Sequence, residues 1–215
     1  MVATVSRKTV RLRARHERSQ HPLVVAIGGS AGSIHVVEDV VRQLPPDLDA
    51  IVLFAIHRSY DRRSYLPEML RRARTIKIVE IVDSEALESA VGYISEPSEH
   101  LTVGHDGYRA RLLPDPDRLR RNQSIDELFA SVAETAGPRA VGILLSGLRK
   151  DGTQGLGAIK RAGGTTIVQD TREAEFPDMP ASAIVAGVAD HVLSHHEIPR
   201  VVARLAATRS EVRQR

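Results

Sequence analysis

Unbroken apolar runs alternate along this chain with stretches in which apolar residues recur every three or four positions. Leu23 to Ile27, Asp49 to Ile56 and Ala140 to Leu145 are apolar almost throughout, the pattern of strands covered on both faces of a sheet. Between the first two, Ile34, Val37, Val40, Val41 and Leu44 recur with helical spacing, and Pro45-Pro46 ends that helix. Strand, helix and strand at this spacing form a βαβ unit with a parallel pair.

Tyr65 to Arg74 reads as a helix with Leu66, Met69 and Leu70 inward and Arg71, Arg72 and Arg74 outward, and Ile76 to Ile81 as a shorter strand. Tyr93-Ile94-Ser95 and His100 to Val103 are strand pieces before the turn Gly104-His105-Asp106-Gly107. Tyr108 to Leu113 answers them, so this middle part is expected to be antiparallel, until Pro114 and Pro116 break it. Ser124 to Ala136 is a helix with Ser124 as its cap and Glu127 three residues later, the capping-box spacing. A helix over Gly155 to Arg161, a strand over Thr165 to Val168, a loop from Glu173 to Pro180 and a helix from Ala181 follow. A strand over Asp190 to Leu193 and a helix over Glu197 to Ala206 complete the pattern. The expected fold is α/β, a mainly parallel doubly wound sheet with a small antiparallel hairpin region, Rossmann-like and three-layered.

Composition narrows the class. At 215 residues and 42% hydrophobic, the chain suits one sizeable soluble domain. No internal repeat or long linker divides it, so one domain is expected over 21–207. A basic arm precedes it at 1–20, with Arg7, Lys8, Arg11, Arg13, Arg15 and Arg18, and a basic tail follows at 208–215. The net charge of +3 sits mainly in these ends, and a solvated arm is weighed above a phosphate-binding one. Aromatics at 3% with no Trp argue against a base-stacking nucleic-acid surface. The absence of Cys excludes disulfides and thiolate chemistry. No apolar run approaches membrane-spanning length and no secretory signal opens the chain, so a cytoplasmic protein is expected, with no membrane insertion.

Candidate chemistry gathers at strand ends, where open parallel sheets place their sites. Gly28-Gly29-Ser30-Ala31-Gly32 reads G-x-S-x-G, a turn that can lift a serine hydroxyl off the end of a strand. His57 closes the second strand and Asp151 follows the Ala140 strand. A serine nucleophile needs a base, and the base needs a carboxylate to orient it. Each residue also has a plainer reading: a glycine-rich turn or phosphate cradle, a surface histidine, and a carboxylate capping the helix after it. The order Ser, His, Asp differs from that of α/β hydrolases, which disfavours that fold. A dinucleotide fingerprint is interrupted by Ser30 and Ser33, and no Walker loop is present. His195-His196 are adjacent, expected to point apart, and lack metal-ligand spacing. No cofactor and no metal are expected.

Taken together, Ile27 to Gly32, His57, and Leu145-Ser146-Gly147-Leu148-Arg149-Lys150-Asp151-Gly152 resemble the catalytic domain of chemotaxis protein-glutamate methylesterases of the CheB type. Ala140 to Ile143, Ser124 to Phe129 and Met179-Pro180 support the likeness, which covers roughly Leu23 to Leu193. The resemblance implies hydrolysis of glutamate methyl esters on a cytoplasmic chemoreceptor segment, with glutamine deamidation as related chemistry. Ser30 would be the nucleophile, His57 the base and Asp151 its orienting acid, with the backbone amides of Ala31 and Leu148 binding the oxyanion. The sequence departs from the family at the rim. Ala31 and Ser33 replace its Thr and Gly, Arg58 its Met, and Leu148-Arg149-Lys150 its glycine-rich turn. Arg58, Arg149, Lys150 and Met179 are the expected substrate rim. A catalytically weak binding module, or a hydrolase of another ester or amide, is the alternative. The family's usual receiver domain has no counterpart before Leu23, so a free-standing catalytic domain is expected, either constitutive or regulated by a separate receiver or kinase protein.

Overall fold

The computed structural model describes residues 22–61, 63–104, 108–115, 117, 119 and 122–211. The expected arm at 1–20, the turn residues His105, Asp106 and Gly107, Pro116, and tail residues 212–215 lie outside the described residues.

Seven parallel strands form one sheet in the order β3-β4-β2-β1-β7-β8-β9. These are β1 (Leu23–Gly29), β2 (Ala50–Ile56), β3 (Lys77–Glu80), β4 (Val91–Ile94), β7 (Ala140–Leu144), β8 (Thr165–Gln169) and β9 (His191–Leu193). A separate antiparallel pair joins β5 (Glu99–Gly104) to β6 (Arg109–Pro114). The helices are α1 (Ser33–Arg42), α2 (Leu66–Arg72), α3 (Ser124–Ala136), α4 (Thr153–Arg161), α5 (Asp178–Val185) and α6 (Ile198–Glu211).

Successive residues of β1 serve opposite cores, as the period-two geometry of a strand requires. Val24 and Ala26 pack with Leu128, Phe129 and Val132 of α3, with α4 and α5, and with the hairpin. Leu23, Val25 and Ile27 pack with Val37, Val40 and Val41 of α1, with α2 and with Ile198 and Val202 of α6. These are the three layers of the expected Rossmann-like fold.

The structure corrects the reading of the middle segment. Val91–Ile94 is a parallel strand inserted between β3 and β2, while only β5 and β6 pair antiparallel. All four residues of β4 are buried, which suits an inner strand of the main sheet and not one arm of a surface hairpin. Two helices outrun their expected limits. α5 starts at Asp178, with Pro180 in its first turn, where a missing N–H costs nothing. α6 continues to Glu211, across the expected boundary at 207. Ile34, read as an apolar position of α1, is 36% exposed.

Candidate functional site

β1 lies between β2 and β7, so the chain leaves β1 toward one side of the sheet and returns later on the other. This switch point is where a crevice opens beyond the carboxyl ends of the strands. Backbone bonds knit the three ends together: His57 N–H donates to Gly29 O at 3.0 Å, Leu145 N–H to Gly28 O at 2.9 Å, and Ser30 N–H to Ser146 O at 2.9 Å. Ser33, at the start of α1, donates to Ser30 O from its amide at 3.1 Å and its hydroxyl at 2.6 Å. The Ser30 turn is thus held from both sides.

Asp151 and His57, distant in sequence, meet here. His57 Nε2 lies 2.7 Å from Asp151 Oδ2, and the aspartate side chain is 1% exposed. An ionised carboxylate only accepts, so this bond keeps the ring proton on Nε2 and leaves Nδ1 as the basic nitrogen. The same carboxylate accepts the Ile125 N–H at 3.1 Å and the Asp126 N–H at 2.9 Å. It therefore caps α3. This replaces the expected capping box: Ser124 lies inside the first turn and no side chain of the preceding residue caps the helix. Glu127 turns to His100 instead, with Oε2 2.5 Å from Nδ1. Asp151 does not cap the helix that follows it either. Asp126 of α3 does, accepting the Gly155 N–H at 2.7 Å. Burial, reinforced by the Asp151 charge, pushes the Asp126 carboxyl up to about 6.

Ser30 and His57 line one cavity of about 130 Å³, though no hydrogen bond joins Ser30 Oγ to His57 among the described residues. The amides near Ser30 divide into two sets. Those of Ser30, Ser33 and Gly147 are engaged, the last by Phe176 O at 2.9 Å. Those of Ala31 and Leu148 have no protein partner among the described residues. Ser146, fully buried, braces both turns: its hydroxyl donates to Ala31 O at 2.9 Å and accepts from Phe176 N–H at 3.0 Å. Its own N–H donates to Gln169 Oε1 at 2.8 Å.

The expected rim residues separate into three situations. Arg149 and Lys150 are exposed, beside Leu148 at 47% exposure. Arg58 belongs to the cavity wall, with its guanidinium donating to Ile56 O, Ser64 Oγ and Ser95 O. Burial pushes it below its ordinary value against the opposing charges of Glu96 and Glu80. Met179 is fully buried, so it supports the turn from behind and contributes no rim surface; a Cβ on Gly147 would stand 2.2 Å from its Sδ. Glu96 and Glu99 line the cavity with Arg58, and burial together with Glu96 raises the Glu99 carboxyl.

Asp126, Ser146, His100 and Gln169 bond across elements around these turns, and residue patterns gave none of them a role, although Asp126 and Ser146 stand inside stretches that carry the family likeness. The His195 and His196 rings, expected to diverge, sit 3.8 Å apart between centroids at 41°, with His195 Nδ1 3.1 Å from Glu173. Among the described residues no group of three or more His, Asp or Glu is arranged to hold a metal, and no helix is long and apolar enough to cross a membrane.

A family model described as CheB methylesterase matches residues 25–202. The protein-glutamate methylesterase/protein-glutamine glutaminase 1 of Xanthomonas euvesicatoria pv. vesicatoria is 33% identical over 192 residues, 88% of this chain and 52% of the relative. The corresponding protein of Geobacillus kaustophilus is 34% identical over 185 residues, 85% of this chain and 53% of its own length. This chain thus spans about half the length of these relatives. The crystal structure of the Thermotoga maritima CheB methylesterase catalytic domain superposes with a TM-score of 0.75 at 25% identity, covering 86% of this chain and 98% of that one.

Proposed function

We propose that this chain, which belongs to the CheB methylesterase family, is a serine hydrolase that removes methyl groups from glutamate γ-methyl esters of a cytoplasmic chemoreceptor segment. The observation that carries the reading is the 2.7 Å bond between a buried Asp151 and His57, which lines one cavity together with Ser30. Ser30 Oγ attacks the ester carbonyl while His57 Nδ1 takes its proton. Asp151 holds the imidazole and stabilises the cation that forms. The unengaged amides of Ala31 and Leu148 are the natural donors to the oxyanion, a contribution worth about 10²–10³ in rate per donor. The proton then passes from His57 to the departing methoxide, methanol leaves, and water repeats the sequence on the acyl-serine to release a free glutamate. Glutamine carboxamides enter the same path with ammonia as the leaving group. The substrate segment and the cytoplasmic location are part of this proposal.

Methanol release from a methylated receptor cytoplasmic fragment tests it. Wild type is expected to release methanol, Ser30→Ala to lose at least about 10³-fold, and His57→Ala about 10²–10⁴-fold. Equal release by wild type and Ser30→Ala sinks the Ser30 mechanism. Labelling of Ser30 by a fluorophosphonate without turnover of any receptor fragment points instead to another ester or amide.

A further inference from the structure

The segment Leu148-Arg149-Lys150 spans the two reacting ends of the site. The residue before it, Gly147, lies against the serine: a Cβ there would stand 2.9 Å from Ser30 Cβ. The residue after it, Asp151, holds His57 at 2.7 Å. All three intervening residues are exposed, so the segment runs along the surface between the serine turn and the carboxylate that holds His57. Neither Arg149 nor Lys150 forms an ion pair with a described residue. Arg149 also has φ 70°, a left-handed conformation that glycine adopts without strain and a side chain does not. An arginine held there at conformational cost keeps a cation between the residue packed on Ser30 and the one that holds His57.

The surrounding charges are of the other sign. The Glu175 side chain lies over Gly32 on the nucleophile's own turn, and Glu96 and Glu99 line the cavity wall. Arg58, the cation on that wall, spends its donors on Ile56, Ser64 and Ser95. The uncommitted positive charge beside the serine turn and Asp151 is therefore that of Arg149 and Lys150. We propose that Arg149 and Lys150 are specificity-determining residues that engage carboxylates of an acidic protein segment flanking the bond to be cleaved. This inference rests on the Ser30 reading for the location of the reacting bond. The acidic residues opposite fix which way round the segment lies, because an acidic flank on their side is repelled.

Binding and turnover are read separately, so that the two ideas can fail independently. Ser30→Ala protein is titrated with two helical peptides that carry one glutamate γ-methyl ester, one with Glu flanks and one with Gln flanks. The Glu-flanked peptide is expected to bind several-fold tighter at low salt, with the preference fading as salt screens exposed charges. Adding Arg149→Asn and Lys150→Gln, the first chosen because Asn tolerates the left-handed conformation, is expected to cut the Glu/Gln affinity ratio by about two- to fivefold per residue. A ratio that stays unchanged in the double variant overturns the proposal, as does absence of binding to either peptide. The same substitutions in wild type should lower the Glu/Gln ratio of kcat/KM in parallel. A wild type that hydrolyses neither peptide while its Ser30→Ala form keeps the preference rejects the esterase and leaves the acidic-segment site standing.

Discussion

Ser146 concentrates at one buried hydroxyl the task of spacing two turns. Its contacts reach Ala31 O, Phe176 N–H and, through its backbone, Ser30 N–H and Gln169. Ser146→Ala strips a donor from one turn and an acceptor from the other. Leaving these half-buried groups unpaired costs about 1 kcal/mol, the lower end of the range for fully buried ones, readable by urea unfolding. Since Ala31 and the Gly147-Leu148 turn shift with it, fluorophosphonate labelling of Ser30 is expected to slow about tenfold, a step near 1.4 kcal/mol; wild-type labelling speed would remove Ser146 from the positioning of the site. Arg149 makes the opposite case. Arg149→Gly relieves a left-handed side chain and is expected to raise stability by about 0.5–1 kcal/mol after the added freedom of the unfolded chain is counted, while weakening the preference for acidic flanks. Residue patterns nominated Ser30, His57 and Asp151 because each type fits a chemical role at a strand end, and the structure brings His57 into contact with Asp151. They misassigned Met179, because a motif position does not say which face of a turn the side chain occupies.

At the scale of elements, α3 and α4 exchange caps. Asp151, just ahead of α4, receives the first amides of α3, and Asp126, in the first turn of α3, receives an amide of α4. Each carboxylate sits at the positive end of a helix dipole, yet burial, reinforced by their mutual repulsion, raises Asp126 to about 6 from its ordinary 3.8. For an acid raised in the folded state, the fold binds a proton that the unfolded chain has released. Stability therefore falls as pH climbs from about 4 to about 6, and the penalty is complete above that window. Asp126→Asn keeps the acceptor for Gly155 and removes the charge. It is expected to stabilise the protein at pH 8 by about 1 kcal/mol, after discounting for solvent screening of a partly exposed group. That corresponds to about 2–4 °C in Tm, and the gain should vanish below pH 4. A gain of equal size at both pH values would show that charge is not its source. Strands and helices were legible here because apolar periodicity is local, but this exchange was not. The Ser124 to Glu127 spacing is a genuine capping signal, overridden because Asp151 takes the Ile125 and Asp126 amides from another loop, the Glu127 N–H goes to Gln123 O, and the Glu127 side chain is drawn to His100.

For the whole molecule, the site depends on how one helical layer seats on the sheet. α3 crosses β1 so closely that a Cβ on Gly28 would stand 2.3 Å from Ile125 Cγ2 and 3.1 Å from Phe129 Cζ. Ile125 is also the residue whose amide holds Asp151. Position 28 therefore couples core packing to the orientation of His57 through a single helix end. The G-x-S-x-G pattern displayed this glycine as part of a turn, but its close contact with α3 became visible only once non-local packing was known. Gly28→Ala is expected to cost about 1–3 kcal/mol by overpacking, because Ile125 and Phe129 are both fully buried and have little room to yield. Val202→Ala, on α6 in the opposite layer, empties part of a buried site and should lose a broadly comparable amount. The two variants separate stability from function. At a temperature where both are fully folded by urea titration, Gly28→Ala should lower kcat by tenfold or more, because displaced α3 amides release Asp151 and with it the imidazole. Val202→Ala should keep kcat within about twofold of wild type. Matching kcat values would mean that the α3 amides do not hold the carboxylate in its working position, and that the contact at Gly28 serves packing alone.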